Sequence, residues 1–385
     1  MMRLFYGLPV LLFGVAMMCS CDQTPEKRLY TLFFGTYTRG ESEGIYSAQF
    51  DVVEGTLLPL NEPVYSENPS FLAVAPDKQV LYAVNEVNNY LGKGTGAVTA
   101  FRIDQETHAL TELNHQSSHG AHPAHIVVDG TGRFVLTANY SGGNVAVIAI
   151  DSSGTLGSLE QMVVHTGSGP NLQRQKQPHP HSVTFSPDQR HVVVADLGID
   201  QVKIYRWDAH EGTLTLNDPS AFNTAAGAGP RHFAFHPHMN YAYVINELAS
   251  TITALNFNPD NGALTKVSTV STLPEDWQGR NTCADIHLSK DGRFVYGSNR
   301  GHNSIAVFEI DRNTGELTRV QNQATRGSTP RNFALDPTGK WLLVANQNSD
   351  SITIFSIDNE SGMLVPVGEP YTIPSPVCIR FLDLE

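Results

Sequence analysis

A short strand ending in Asn or Asp returns six times along this chain, at Leu81–Glu86, Val135–Tyr140, Val193–Gly198, Val244–Leu248, Tyr296–Gly301 and Leu343–Asn348. The marker residues are Asn85, Asn139, Asp196, Asn246, Asn299 and Asn346, separated by 54, 57, 50, 53 and 47 residues. Extending the period backwards lands on Tyr37, a seventh copy. A second strand precedes each marker strand and usually opens at a proline, at Pro69, Pro123, Pro180, Pro230, Pro330 and Pro376, with Cys283 as the one departure. A third strand follows the marker strand, as in Gly96–Asp104, and then a short fourth. Four strands in a unit of about 50 residues, with no helical period between them, predict an all-β fold, a seven-bladed β-propeller.

The seventh unit is split. Pro376–Leu384 has no marker strand after it, and Tyr37 has no proline-opened strand before it. The C-terminal strand is therefore expected to complete, as its innermost strand, the blade begun at the N-terminus by Thr31–Leu60. Closing the ring in this way removes two exposed sheet edges.

The first residues read as an address. Arg3 precedes an apolar run from Leu4 to Met18, about the length of a signal sequence and short for a membrane span. The Ser20-Cys21 step at its end resembles the lipobox of bacterial lipoproteins, which implies acylation of Cys21 and an exported, membrane-anchored protein. The expected organisation is a signal peptide and lipobox at 1–21, a short linker at 22–28 and one propeller domain at 29–385. Of four cysteines in the chain only Cys283 and Cys378 follow the leader, too few for a disulfide scaffold. With 25 basic against 38 acidic residues, a formal charge of −13, nothing supplies the basic stripe that a nucleic acid would need. The membrane is expected to be met only through the lipid anchor, and the body to be a monomer.

If the proline-opened strand is innermost, its start and the end of the marker strand share one mouth of the central channel. One place after the proline column stand Ser70, Ala124, His181, Arg231, Ala284, Arg331 and Val377. Two places after it stand Phe71, His125, Ser182, His232, Asp285, Asn332 and Cys378. One place after the marker column stand Thr38, Glu86, Tyr140, Leu197, Glu247, Arg300 and Gln347. Ionisable residues gather in consecutive units as His181, Arg231, His232, Glu247, Arg300 and Arg331, where a blade needs only Ser, Ala or Thr. Such a cluster in a concave mouth marks a binding or catalytic site. The loop Arg174–His181 adds Arg174 and His179 over the same mouth, and the loop 274–281, with Trp277 and Arg280, is expected to cover it. Together with His125 and Glu86, these residues favour a small anionic ligand.

Two histidine pairs, His122 with His125 and His179 with His181, have the look of metal ligands. A proline interrupts each pair, and no Cys-x-x-Cys or His-Glu-x-x-His accompanies them, so no metal is expected. Phosphate loops, dinucleotide fingerprints and a Gly-x-Ser-x-Gly nucleophile turn are absent, and no cofactor is expected.

Gly35-Thr36-Tyr37-Thr38, Ser42–Tyr46, Gln175 with Pro178–His181, Asp196-Leu197-Gly198 and Gly227–His232 resemble the lactonase family of seven-bladed propellers. Asn246-Glu247-Leu248, Ser298–His302, Pro330-Arg331 and Pro376-Val377-Cys378 extend the likeness from about Thr31 to Leu384. The propeller-type 6-phosphogluconolactonases and the fungal carboxymuconate-lactonising enzyme belong to that family. The resemblance implies carbohydrate metabolism and metal-free lactone chemistry at the mouth. It also implies a catalytic set of His181, Arg231, Glu247 and Arg300, with Glu247 or His181 as base. Arg174, His179, His232, Arg331, His125 and Glu86 then fall to binding the substrate, a small anionic lactone. Two other functions fit the same mouth: a cyclase or isomerase acting on a muconolactone, and a surface propeller that binds without turnover. An exported protein sits outside the compartment of a phosphorylated sugar lactone, which leaves the sugar open.

Overall fold

The computed structural model describes residues 1, 2, 4 and 28–382, so Cys21 and the rest of the leader lie outside the described residues except for Met1, Met2 and Leu4. Among the described residues, twenty-eight strands form seven four-stranded antiparallel sheets. Numbered from the Pro69 unit, the inner strands of blades 1 to 7 are Leu72–Val74, Pro123–Val128, Pro180–Phe185, Pro230–Phe235, Thr282–Leu288, Pro330–Leu335 and Pro376–Phe381. Inner strands of consecutive blades contact one another around a central channel.

Burial explains why the marker strands are apolar without alternation. Val80–Asn85, Phe134–Asn139 and His191–Asp196 are buried at every position. Each lies inside its own sheet and is covered on both faces by neighbouring sheets. Phe134, Leu136, Val145 and Val147 of blade 2 pack against Val183, Val192, Val194 and Tyr205 of blade 3 in one continuous core. The outermost strand of blade 2, Leu156–Val164, meets water on one side and alternates accordingly.

The recurring Asn ties blades together. Nδ2 of Asn85 donates to the Glu67 carbonyl at 2.8 Å, that of Asn139 to Ser118 at 2.8 Å and that of Asn299 to Thr272 at 3.0 Å. Each acceptor belongs to the segment leaving the preceding blade, which would otherwise bury an unpaired carbonyl.

The ring closes through the C-terminal strand. Pro376–Phe381 pairs antiparallel with Leu29–Thr36, with Leu32 opposite Phe381 and Thr36 opposite Pro376. That register corrects the extrapolated marker. Pro123, Pro180, Pro230 and Pro330 pair with Asn139, Asp196, Asn246 and Asn346, so the seventh equivalent is Thr36, and Tyr37 takes the following column in place of Thr38. The amide of Tyr37 donates to the carbonyl before Pro376 at 3.1 Å, as that of Glu247 donates to the carbonyl before Pro230 at 2.7 Å.

Candidate active site

A β-bulge sits at the start of the inner strands. The pairing slips between Pro123 and His125, Pro180 and Ser182, Pro230 and His232, and Pro330 and Asn332. The residue skipped in each case is Ala124, His181, Arg231 or Arg331. A bulge leaves one residue without a partner and re-aims its side chain, so the strand turns that residue and the next one toward the channel. Blade 5 differs at Cys283, whose amide donates to the Glu247 carbonyl at 3.1 Å. A proline there would forfeit that bond.

Glu247 is the centre of the mouth. Its Oε1 accepts from Arg174 Nη2 at 2.6 Å, while its Oε2 lies 2.9 Å from both Arg231 Nε and Arg300 Nη2. The carboxylate side chain is 5 % exposed and that of Arg231 only 2 %. Burial alone would raise the Glu247 pKa, but Arg300, Arg231 and Arg174 override it and hold the carboxyl down at about 2. Burial lowers Arg231 to about 9, with Arg300 and Arg331 adding repulsion. Arg231 also donates to the Ala284 carbonyl, and Arg300 to that of Cys283 at 2.9 Å, so blade 5 anchors both guanidiniums.

Arg174 is delivered by a braced loop. Buried Gln175 donates to the Leu197 carbonyl at 2.8 Å and to Asp200 Oδ1 at 2.7 Å, and accepts from the Asn171 amide at 3.0 Å. Gly198 makes room for the loop, since a Cβ there would run into the Gln177 carbonyl. Arg174 also reaches the Tyr140 hydroxyl at 3.2 Å. His179 stacks flat on Tyr140 with centroids 4.3 Å apart and donates from Nδ1 to the Tyr140 carbonyl at 2.8 Å.

Below the arginines lie three imidazoles. His232 is 5.5 Å from His125 and 5.4 Å from His181, centroid to centroid, and Phe71 covers His125 at 4.1 Å. Nδ1 of His125, Nδ1 of His181 and Nε2 of His232 are buried without hydrogen-bond partners. Burial and then neighbouring cations drive His181 well below the ordinary imidazole range and His232 to about 4; for His125, burial is followed by His232. All three are neutral at pH 7.

The opposite side of the mouth holds Glu86, Tyr37 and Arg331. The Tyr37 hydroxyl donates to Glu86 Oε2 at 2.8 Å, and Arg331 approaches that oxygen only to 3.9 Å while lying over the Tyr37 ring at 5.2 Å. The mouth thus sets four guanidiniums, Arg174, Arg231, Arg300 and Arg331, against the carboxylates of Glu247, Glu86 and, deeper in, Asp285. The surplus of positive charge suits an anion.

Contacts join His181 and His125 through His232, Arg174, Arg231 and Arg300 to Glu247, His179 to Tyr140 and Arg331 to Glu86, but among the described residues they do not tie Trp277 or Arg280 to this cluster. His122 and His125 diverge, His122 Nδ1 reaching Ser141 Oγ at 2.8 Å while His125 packs against His232, whereas His179 and His181 both approach the Tyr140 ring, at 4.3 and 5.4 Å. Among the described residues, no three of His, Cys, Asp and Glu converge to hold a metal ion. In the 274–281 loop, Trp277 stands edge-on to His302 at 4.7 Å and Arg280 is exposed.

Asp285 was passed over in the sequence. Its Oδ1 meets His232 Nδ1 at 2.7 Å and its Oδ2 meets His287 Nε2 at 3.0 Å, with the Asn332 amide also donating to Oδ2. It is the one carboxylate in the column two places after the proline, a signal that was available. With Asp285 ionised, Nδ1 of His232 carries the proton and Nε2 is bare. Tyr37 and Tyr140 were the other residues missed.

Residues 31–381 match the family model for the lactonase, 7-bladed β-propeller family. The chain is 40 % identical over 353 residues to the 6-phosphogluconolactonase of Bacillus subtilis strain 168, covering 92 % of this chain and 98 % of that protein. A structure of the Pseudomonas aeruginosa periplasmic gluconolactonase superposes with a TM-score of 0.86 at 35 % identity, covering 93 % of this chain and all of that one. A Lactobacillus plantarum protein structure matches with a TM-score of 0.86 at 36 % identity, covering 92 % of this chain and all of that one. Fold and mouth together define a propeller enzyme with a cationic channel site. The chain belongs to the lactonase family of seven-bladed propellers.

Proposed function

We propose that the chain hydrolyses a sugar lactone of the 6-phosphogluconolactone class, opening the ring by water attack at the channel mouth. The observation that carries this reading is one buried carboxylate shared by three guanidiniums, directly above neutral imidazoles. Water adds to the lactone carbonyl, and the tetrahedral oxyanion is met by N–H groups of Arg231 and Arg300. The bond to the ring oxygen then breaks, that oxygen takes up a proton, and the product is a hydroxy acid that ionises at neutral pH.

The choice of base follows from geometry. Glu247 has both oxygens taken by guanidiniums and serves to fix them in place. His181 is neutral with an unpartnered Nδ1, and removes the proton from water. Arg331 and Arg174, 17 % and 39 % exposed, face the substrate's anionic tail. His179, His232, His125 and Glu86 line or brace the same space.

Export and acylation at Cys21 belong to this proposal. They are supported by the leader and by the periplasmic setting of the Pseudomonas relative. No helix among the described residues is long and apolar enough to cross a membrane.

The deciding assay supplies the soluble body, residues 22–385, with phosphorylated and unphosphorylated aldonolactones and with a muconolactone, each with and without chelator. Acid release from an aldonolactone, unaffected by chelator, is the expected result. Turnover of the muconolactone alone would make the protein a cyclase or isomerase. Binding without turnover of any of them would make it a binding module.

A further inference from the structure

Blade 1 departs from the plan of its neighbours on the face that carries the site. Between marker strand and third strand, blades 2, 3, 4 and 6 use only 140–143, 197–200, 247–250 and 347–350, whereas blade 1 uses 86–96. Marker strands end at the catalytic mouth, so the added length stands on that face. A connection longer than the repeat requires is where a scaffold carries function. The loop is also braced. The amide of Tyr90 donates to the Thr95 carbonyl at 2.7 Å, that of Gly92 to Asn89 at 3.0 Å, and that of His122 to Val87 at 2.8 Å.

This loop forms one wall of a groove of about 700 Å³, a volume within the range of small-molecule sites. The facing wall is Tyr65–Asn68, where the chain passes from blade 7 into blade 1, and the outer end is Glu112 and His115 on the strand Leu110–Ser117. Asn85 holds the floor, its Nδ2 donating to Ser66 Oγ at 2.9 Å and its Oδ1 accepting from Thr99 Oγ1 at 2.7 Å. Asn68 ties the wall to the mouth, its Oδ1 accepting from the Thr38 amide at 3.0 Å. Glu86 belongs to groove and mouth alike, so the groove begins where the Arg331 side of the mouth ends.

Charge changes sign across that boundary. The mouth carries four guanidiniums, but among the described residues the groove is lined by Glu67, Glu86 and Glu112 and by neither Lys nor Arg. An anion is repelled there. Two of these carboxylates already have partners, Glu86 in the Tyr37 hydroxyl at 2.8 Å and Glu112 in His115 Nδ1 at 3.0 Å, so the groove is not a bare acidic patch. Rings stand beside these groups. Tyr65, 73 % exposed, lies on one wall, and Tyr90 lies on the other, edge-on to His115 with centroids 5.7 Å apart. Exposed Asn88 and Asn89 add amides that both donate and accept. A sugar ring offers apolar C–H faces and a rim of hydroxyls. Aromatic rings cover the faces, and amides with carboxylates pair with the rim.

We propose that this groove binds a neutral glycosyl unit carried by the lactone, which makes the substrate class a glycosyl-aldonolactone. The inference rests on the lactonase reading of the mouth and names what the lactone carries. The lactone ring sits among the guanidiniums, and its second sugar runs outward past Glu86 between Tyr65 and Tyr90.

The test measures initial rates of acid release by the full chain from gluconolactone and from cellobionolactone, maltobionolactone and lactobionolactone, corrected for spontaneous hydrolysis. None of the four is phosphorylated, so the difference between them reports the second sugar alone. At least one disaccharide lactone is expected to exceed gluconolactone in kcat/KM by about tenfold or more. The gain should lie in KM with kcat level, because the groove touches no reacting atom. Tyr65→Ala is expected to cut that preference by about fivefold or more while gluconolactone turnover stays unchanged, and Glu112→Ala should act in the same direction. Both side chains are exposed, so the fold survives their loss. Equal kcat/KM for gluconolactone and all three disaccharide lactones overturns the proposal, as does a preference unmoved by either substitution. If none of these lactones is turned over, the lactonase reading fails for them and calorimetry judges the groove alone. Saturable binding of cellobiose, maltose or lactose that Tyr65→Ala weakens then upholds the sugar site, and absence of such binding overturns it.

Discussion

Glu247 and Glu86 occupy the same place in the repeat, one residue past the marker of blades 4 and 1, and the fold uses them in opposite ways. Glu247 is 5 % exposed and sits within 2.9 Å of three guanidiniums. Glu86 is 16 % exposed, accepts one tyrosine hydroxyl and has its arginine at 3.9 Å. The repeat brings both to the mouth, but the neighbouring columns decide what each becomes. Around Glu247 its own blade contributes Arg231, the next blade contributes Arg300, and a braced loop adds Arg174. The result is a preorganised set of donors that need no rearrangement when charge develops on the substrate. Around Glu86 the contacts are longer and wetter, as suits the part of a site that adapts to a ligand's tail.

The sharpest way to break that contrast is to neutralise each carboxylate in turn. Glu247→Gln leaves the buried Arg231, the partly buried Arg300 and the more exposed Arg174 without their shared counter-charge. It is expected to cost about 3–5 kcal/mol of stability, the usual penalty for breaking a buried ion pair. It is also expected to lower lactone turnover by on the order of a hundredfold or more as Arg231 and Arg300 lose their aim. Glu86→Gln should cost under about 1 kcal/mol, as loosely made and partly exposed pairs do, and should raise KM with little change in kcat. Urea denaturation and steady-state kinetics on both variants decide the matter. Equal effects in the two would show that position in the ring, and not the surrounding cations, governs the role.

Next in size is the response to acid. His232 has its pKa lowered by burial from 6.5 to about 4, and His125 and His181 are pushed well below 6.5 by the same cause. In the unfolded chain these imidazoles take up protons near 6.5, while in the folded chain they do not. Between those values the unfolded state binds more protons, so stability rises with pH and is lost on acidification. At about 1.4 kcal/mol per unit, His232 alone accounts for on the order of 3 kcal/mol across that window. Glu247, depressed from 4.5 to about 2, adds a further loss as pH falls below about 4.5. Thermal melts from pH 7.5 to 4 are expected to fall steeply. His125→Phe, which replaces a buried ring whose Nδ1 has no partner, beside Phe71, should flatten the slope between pH 6.5 and 4. An unchanged slope would mean that His125 is protonated in the folded protein.

How much of this was legible in the sequence follows from what a repeat exposes. Prolines and terminal asparagines sit where strands must start and where buried carbonyls between blades need a donor, so they recur and can be counted. The split blade was readable because each half lacked the partner the other supplies. Tyr37 was set one place too early in the pattern because Phe33–Thr38 has no Asn to anchor the column, and only the pairing of Thr36 with Pro376 fixes it. The bulges were not readable, since they are a property of two strands and not of one. Without them, His181 and Ser182 would be expected on opposite faces, and the columns one and two past the proline could not both serve the channel. Asp285 was visible but unremarked: a lone acid among Phe, His, Ser, Asn and Cys matters only once His232 and His287 are seen on either side of it.

The smallest expected effect tests whether the Glu86 side of the mouth is catalytic at all. Tyr37 gives its hydroxyl to Glu86 at 2.8 Å and its ring to Arg331 at 5.2 Å. Burial raises its pKa further above the usual phenol range, so it remains protonated and acts as a hydrogen-bond donor at any working pH. Tyr37→Phe keeps the ring under Arg331 and removes only the hydroxyl, leaving Glu86 free to swing toward Arg331 or water. A loss of about 1 kcal/mol in stability is the usual size for one such bond. If this side only holds the substrate's tail, KM should rise a few-fold, by up to about fivefold for that energy, while kcat stays level. A drop in kcat of tenfold or more with KM unchanged would instead place the Tyr37 hydroxyl at the reacting atoms, as the donor that protonates the departing ring oxygen, and the division of the mouth between Glu247 and Glu86 would have to be redrawn.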